Sequence, residues 1–244
     1  MTEPPADLRP TAQPLHRQLQ ALLMARIESG EWSPGTYLPS ETRLATDYGV
    51  SVGTLRKALL DLAAQGVVLR RQGKGTVVAS HDSDAVLFRF FNLRRADGSR
   101  LHPESRVLRR RTRNATAQEV ALLGLTAPAR VVEITRIREA DGTPIIAERI
   151  ALDAARFGAL SRTPASLPNT LYQLYQTDFG VTVHQAEEWL RAIPAPPEAA
   201  AALGLPEGAP VMEIRRLARD YAGAPVELRV SLVATEAHPY VAAL

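Results

Sequence analysis

The 244-residue sequence predicts an α+β protein in two parts: an N-terminal winged helix-turn-helix, then a larger domain in which an antiparallel sheet carries helices. Three observations predict it. Three short amphipathic helical patterns and a glycine-tipped basic hairpin succeed one another over residues 13–79. Strand-like and helix-like runs then interleave to the C-terminus, and a segment of that second part recurs after 80 residues. A composition of 45% hydrophobic and 23% charged residues is that of a globular chain. The absence of cysteine excludes disulfides, thiol nucleophiles and thiolate-bound zinc. The five histidines recur at no metal-ligand spacing, so neither metal nor cofactor is expected. No apolar run approaches the roughly 20 residues that span a bilayer, and no basic-then-apolar leader opens the chain. A cytoplasmic protein with no membrane partner is the expectation.

Residues 1–12, with Pro4, Pro5 and Pro10, read as a flexible arm. Pro14 suits a helix start, and Leu15, Leu19, Leu22, Leu23 and Ile27 recur at helical spacing up to Gly30. After Pro34-Gly35, Ser40 caps a short second helix that turns Leu44 and Ala45 inward and stops at Gly49. Ser51 caps a third helix, in which Leu55, Ala58, Leu59 and Leu62 form the packed stripe. Val67–Arg71 and Thr76–Val78 are β-prone, and Gln72-Gly73-Lys74-Gly75 between them makes a hairpin, the wing.

A polar linker is expected at residues 80–87, and the second domain at 88–244. Its repeat lays Leu123-Gly124-Leu125, Val131, Glu133-Ile134 and Arg136 on Leu203-Gly204-Leu205, Val211, Glu213-Ile214 and Arg216. One inserted residue then brings Gly142-Thr143-Pro144 onto Gly223-Ala224-Pro225. Each copy reads helix, strand, turn, strand. Two copies imply one pseudo-symmetric sheet rather than a solenoid.

Net charge is only +3, so its placement matters more than its size. Residues 13–80 hold eight Lys and Arg against five Asp and Glu, and both lysines of the chain, Lys57 and Lys74, lie there. Arg56 and Lys57 stand off the packed stripe of the third helix, with Val52 and Thr54 at its start. Ser40, Thr42, Ser51 and Thr54 offer hydroxyls to phosphates, and Arg71, Gln72, Gly73 and Lys74 form the wing tip. A helical protein–protein module is the competing reading, and the gathered cations tell against it. Double-stranded DNA is the expected partner.

These residues carry a family resemblance. Pro14-Leu15, Gly35 through Leu38-Pro39-Ser40-Glu41, Leu44-Ala45, Gly49-Val50-Ser51, Thr54 through Leu59 and Gly66 to Gly75-Thr76 resemble the DNA-binding domain of GntR-family bacterial regulators. The resemblance implies that the start of the second helix, the third helix and the wing contact an operator. Two positions depart from it: Thr42 stands where the family usually has Arg, with Arg43 displaced by one, and Val52 stands where an Arg usually follows the third helix cap. Arg reads guanine bidentately and Val does not, so a different operator is expected.

In the second domain the row Val132, Ile134, Arg136, Arg138 begins apolar and ends in two guanidiniums, and Glu148 shares a row with Ile146, Ile150 and Leu152. An anion-binding pocket explains both; a buried Arg–Glu pair across a hairpin explains them equally. Residues 88–240 resemble the UTRA ligand-binding domain of the HutC subfamily, a domain similar in fold to chorismate lyase. The resemblance rests on Arg136-Ile137-Arg138, Asp141-Gly142-Thr143-Pro144, Thr170-Leu171-Tyr172, Leu203-Gly204-Leu205 and Gly223 to Glu227. It implies that Arg136 and Arg138 bind an effector's anionic group. Glu148 and Glu227 would accept hydrogen bonds from it, and Thr170 would donate one, beside Tyr172. Glu227 is the least secure on its own pattern, since Val226, Leu228, Val230 and Leu232 read as the packed face of its strand. Val233 and Thr235–Tyr240 also depart from the family's usual aromatic and tail residues, which argues against a phosphosugar. Arg106, Arg109, Arg110, Arg111 and Arg113 read as a solvated strand face, and His184 as a partly exposed structural histidine.

The function these features imply is a ligand-responsive transcription regulator, a repressor binding a pseudo-palindromic operator as a homodimer and answering a small anionic metabolite. The alternatives are a DNA-tethered chorismate-lyase-like enzyme and an architectural DNA binder without an effector. No catalytic residue is apparent, since no histidine or nucleophile stands beside the Arg/Glu set.

Overall fold

The computed structural model describes residues 13–80, 92–162 and 167–242. The arm expected at 1–12 lies outside them, as do residues 81–87 of the expected linker. The chain divides into two compact units, Met1–His81 and Asp82–Leu244. Among the described residues no helix is long and apolar enough to cross a membrane.

In the first unit, α1 (Leu15–Glu28), α2 (Glu41–Asp47) and α3 (Val52–Ala64) precede a hairpin of β1 (Val68–Arg71) and β2 (Gly75–Val78). α1 buries Leu19, Leu23 and Ile27, which recur on one face; α3 buries Leu55, Ala58, Leu59 and Leu62. Both caps form: the Ser40 hydroxyl accepts from the Arg43 N–H at 3.2 Å, and that of Ser51 from the Thr54 N–H at 3.1 Å. Gly49 takes φ +63° in the turn between α2 and α3, where an L side chain would be strained. The hairpin pairs Val68 with Val78 through Arg71 with Gly75.

The second unit is built from β3 (Glu104–Asn114), α4 (Ala117–Leu123), β4 (Arg130–Ala140), β5 (Thr143–Asp153), α5 (Ala154–Phe157), a 3-10 turn (Gly158–Ser161), α6 (Leu171–Phe179), β6 (Gln185–Pro194), α7 (Pro197–Leu203), β7 (Pro210–Arg219) and β8 (Pro225–Val233). The six strands form one antiparallel sheet in the order β3-β4-β5-β8-β7-β6. The repeat is visible in this order: β3-α4-β4-β5 and β6-α7-β7-β8 are two copies of one unit, joined where β5 pairs with β8.

Both faces of the sheet are covered, which the alternation along single strands did not announce. On one face Val132, Ile134, Ile150 and Leu152 pack with Phe157, Leu171 and Tyr175 of α5 and α6. On the other, α4 closes Leu123 over Val131, Ala151, Leu217 and Leu228, and α7 closes Ala200 and Leu203 over Val211. A fourth cluster gathers Leu93, Leu101, Ile146, Ile214 and Val233.

Candidate effector site and nucleic-acid interface

Between two of these apolar clusters runs a seam of buried charge. Strand register sets it: Arg136 stands opposite Glu148, Glu148 opposite Ser231, and Arg229 opposite Arg216. Arg136 is 1% exposed, Arg138 3%, Glu148 4%, Glu227 0% and Arg229 7%. Glu148 accepts from Nε of Arg136 and, at 3.2 Å, from Nε of Arg138, while Nη1 of Arg229 lies 3.6 Å from it. Arg229 donates twice to Glu227, both at 2.9 Å, and Tyr172 and Tyr175 donate their hydroxyls to the same carboxylate at 3.2 and 2.7 Å. Further along, Arg216 donates to Glu188 at 2.7 Å, and the Tyr240 hydroxyl closes on Glu188 from the other side.

The charges do not balance. Arg136, Arg138, Arg216 and Arg229 face Glu148, Glu188 and Glu227, a surplus of one positive charge among the described residues. Burial works against the Glu148 carboxylate, yet the charges of Arg136, Arg138 and Arg229 hold it well below the usual range. Burial and then the Arg136 charge push Arg138 down to about 9. Among the described residues Nη2 of Arg136 is buried without a hydrogen-bond partner. Ion pairs of this kind are no more stabilising than apolar side chains of the same volume, so packing alone does not call for them. A guest carrying negative charge would satisfy both the surplus and the idle Arg136 donor.

Of the residues expected here, Arg136, Arg138 and Glu148 meet directly. Tyr172 and Glu227 join the same seam through Arg229. The Glu227 row is buried as well as that of Val226 and Leu228, because helices cover both faces, so the expectation that only its neighbours form a packed face is corrected. Thr170 stands at the start of α6 and donates to Gln173 at 3.1 Å. Beside it, the side-chain and backbone oxygens of Asn169 accept from Arg138 at 3.2 and 3.5 Å, and the backbone oxygen accepts from Arg136 at 3.4 Å. The sequence reading missed Asn169, Arg216, Arg229, Ser231, Glu188 and Tyr240. The repeat carried a signal for two of them, since Arg216 lies 80 residues after Arg136 and Arg229 lies 81 after Glu148.

An open hollow is not what the seam presents. The cavity lined by Asn92, Glu148, Glu188, Arg216, Arg229, Ser231 and Tyr240 has about 30 Å³, room for roughly one water. Tyr240 closes it, held by Asn92 at 2.8 Å and by the pairing of its backbone with Leu93. Two side readings also change. His184 is buried at 5% exposure against Tyr221 rather than partly exposed. On β3, Arg106, Arg111 and Arg113 are paired with Glu139, Glu133 and Glu119 rather than merely solvated.

In the first unit Thr42, Arg43, Val52, Arg56, Lys57, Arg71, Gln72, Gly73 and Lys74 are all exposed, as are the cap residues Ser40 and Ser51, and Thr54 is half-buried. Arg43 pairs with Asp47 at 2.9 Å. Glu41 bridges two elements, accepting from Arg56 of α3 at 2.9 Å and from Arg70 of β1 at 2.7 Å. The Ser51 and Thr54 hydroxyls bond each other at 2.8 Å. Gly73 and Gly75, at φ +71° and +105°, fold the wing tip so that Lys74 N–H reaches the Arg71 carbonyl at 3.0 Å.

Comparison with known proteins decides the family. Residues 98–239 match the UTRA domain, and residues 15–78 match the bacterial regulatory proteins of the gntR family. The chain belongs to the UTRA-containing gntR regulators. Its similarity to the HTH-type transcriptional repressor NagR of Bacillus subtilis is 29% identity over 204 residues, 83% of each chain. To the histidine utilization repressor of Pseudomonas putida it is 28%, over 83% of this chain and 81% of that one. The solved ligand-binding domain of a protein assigned to the GntR family in Bordetella bronchiseptica superimposes with a TM-score of 0.59 at 31% identity, covering 64% of this chain and 98% of that one. UTRA–gntR proteins are transcription regulators and not enzymes: they bind DNA operators, and their UTRA domains bind small-molecule effectors. That removes the DNA-tethered lyase.

Proposed function

We propose that this gntR regulator is a cytoplasmic repressor that binds a pseudo-palindromic operator as a homodimer and changes its operator affinity when a small anionic metabolite enters the Arg136–Arg229 seam. Residues 13–79 form the reading head, residues 80–87 the link, and residues 88–244 the sensor. The observation that carries the ligand class is the surplus guanidinium together with the unsatisfied Nη2 of buried Arg136. Arg136 and Arg138 hold the anionic group, Glu148 and Glu227 accept from hydroxyl or amine groups, and Thr170 and Tyr172 border the site.

Because the cavity holds only about 30 Å³, entry requires Tyr240 and its neighbours to move. A guest that favours the opened arrangement shifts the population of the whole sensor, and operator and guest then alter each other's affinity by one common factor, typically 1–3 kcal/mol. The reading head uses Val52, Thr54, Arg56 and Lys57 toward bases and phosphates. Ser40, Thr42, Arg43, Ser51, Arg71, Gln72, Gly73 and Lys74 hold the backbone. Operator binding measured with and without saturating carboxylate and phosphate metabolites tests the reading, with Arg136→Ala in parallel. A change of five-fold or more for one anion, absent in Arg136→Ala, is the expected result; no change for any anion overturns it.

A further inference from the structure

On the face of the sheet opposite the seam, one row of residues joins neither of the apolar clusters that α4 and α7 cover. Thr135, Arg149, Val230 and Arg215 stand side by side across β4, β5, β8 and β7. Each is the chain neighbour of a seam residue, Arg136, Glu148, Arg229 and Arg216 in turn, so the thickness of one sheet separates the two sets. To one side of the row Ala151 and Leu228 pack under α4; to the other Ala147 and Leu232 pack under α7. Beside α4 the row opens into a trough of about 480 Å³, a volume in the range of small-molecule sites. Four of its lining residues are arginines and three are glutamates.

Two of the three acids are spent on two of the cations. Arg113 donates to Glu119 at 2.7 and 2.6 Å and to Glu133 at 2.7 Å, and Arg111 donates to the other oxygen of Glu133 at 2.7 Å. Arg149 and Arg215 are left with Glu213. Nη2 of Arg215 is 3.6 Å from that carboxylate, too far for a hydrogen bond, and its Nε is buried without a partner. The Arg149 side chain has no ion pair or hydrogen bond among the described residues. The internal repeat does not account for the pair, since Thr135 stands 80 residues before Arg215 and Val230 stands 81 after Arg149.

We propose that the trough is a second anion site, in which Arg149 and Arg215 clasp the phosphoryl group of a small metabolite from two sides, above Val230. Two inter-strand spacings, roughly 10 Å, separate their Cα atoms, and two arginine side chains extend far enough to meet on one group. One bidentate guanidinium occupies both oxygens of a carboxylate. A phosphoryl group has three acceptor oxygens and close to two charges, enough for both arginines. The trough exceeds what a bare oxyanion fills, and Leu228 and Val230 give it an apolar floor for the body of the ligand. This site is independent of the Arg136 seam and of the effector assigned there.

Isothermal titration of the full-length protein at fixed ionic strength tests it, with glycerol phosphate, inorganic phosphate and acetate as probes. Wild type is expected to bind one glycerol phosphate per chain, more tightly than inorganic phosphate and at least about ten-fold more tightly than acetate. Arg149→Gln and Arg215→Gln are each expected to weaken it about ten-fold or more, with melting curves to show that both are folded. Arg149 is exposed, so its variant removes charge without opening the core. Arg130→Gln, which removes an exposed charge elsewhere on β4, is expected to bind as wild type does. No binding of either phosphate probe overturns the proposal, and so does unchanged binding in Arg149→Gln, which puts the anion elsewhere. Acetate bound as tightly as the phosphates overturns the phosphoryl assignment. None of these results touches the seam, whose reading falls only on the operator response and Arg136→Ala.

Discussion

Arg216 stands directly opposite Arg229 across the β7–β8 ladder. Like charges in that position repel, and each needs its own carboxylate, Glu188 for Arg216 and Glu227 for Arg229. At the equivalent place in the first copy of the repeat, Arg136 faces Glu148, a matched pair. The surplus positive charge of the seam thus arises where one copy keeps a glutamate and the other has an arginine.

Truncating Arg136 therefore has two separable effects. Arg136→Ala leaves Glu148 with fewer partners and is expected to lower stability by about 3–5 kcal/mol, the usual cost of breaking a buried pair. It is also expected to abolish stabilisation by an anionic effector, which in wild type at 100 times its dissociation constant adds about 2.7 kcal/mol. Thermal melts of both proteins with and without the effector read both quantities; a full ligand-induced shift in Arg136→Ala rules out the role given to it.

Val52 is the most informative position in the reading head. It is exposed at the first position of α3, where the resemblance expects an arginine. Val52→Arg is expected to move the preferred operator toward guanine at one position of each half-site, with discrimination of about 1–3 kcal/mol per pair. Selection from randomised duplexes reads the change, and an unaltered preference shows that this residue does not reach a base.

Lys74 at the wing tip is exposed and has no ion-pair partner among the described residues. Lys74→Ala is expected to weaken binding to operator and unrelated duplexes alike, and to reduce by about one the slope of log affinity against log salt concentration. A loss confined to operator DNA would mean that the side chain reads sequence.

Glu119 gives a pH dependence whose sign can be worked out. Burial opposes its charge, but hydrogen bonds from Arg113 and from the Thr116 N–H outweigh burial and set the carboxyl below its ordinary value of 4.5. A carboxyl depressed in the folded state contributes stability above its unfolded value and loses that contribution as pH falls through the folded one. Glu119→Gln is expected to be less stable than wild type by about 1–3 kcal/mol at pH 7, and the gap to close below pH ~4 in urea denaturation. A gap independent of pH assigns the effect to the capping box alone.

Much of this architecture could be read from the sequence because its signals are local. Ser40 and Ser51 are capping residues wherever they occur ahead of an apolar stripe, and Gly73 and Gly75 allow few backbones other than a hairpin. The repeat, from Leu123 to Pro144 and again from Leu203 to Pro225, anticipated a pseudo-symmetric antiparallel sheet and its four inner strands, but not the edge strands β3 and β6 that precede each copy. What could not be read depends on which strands become neighbours. Arg229 meets Glu148 only because β8 lies beside β5, and Tyr240 reaches Glu188 only because the tail returns over the sheet. Alternation along β8 also misled, since a strand covered on both faces has no solvent row to contrast with its core.

Glu41 holds both Arg56 and Arg70 in the free protein. A duplex that recruits Arg56 has to take it from a carboxylate, so recognition includes an exchange of partners. A guanine edge, offering two acceptors to one guanidinium, compensates for that exchange better than a lone phosphate oxygen does. In the unbound protein one carboxylate thus ties the base of the wing to α3.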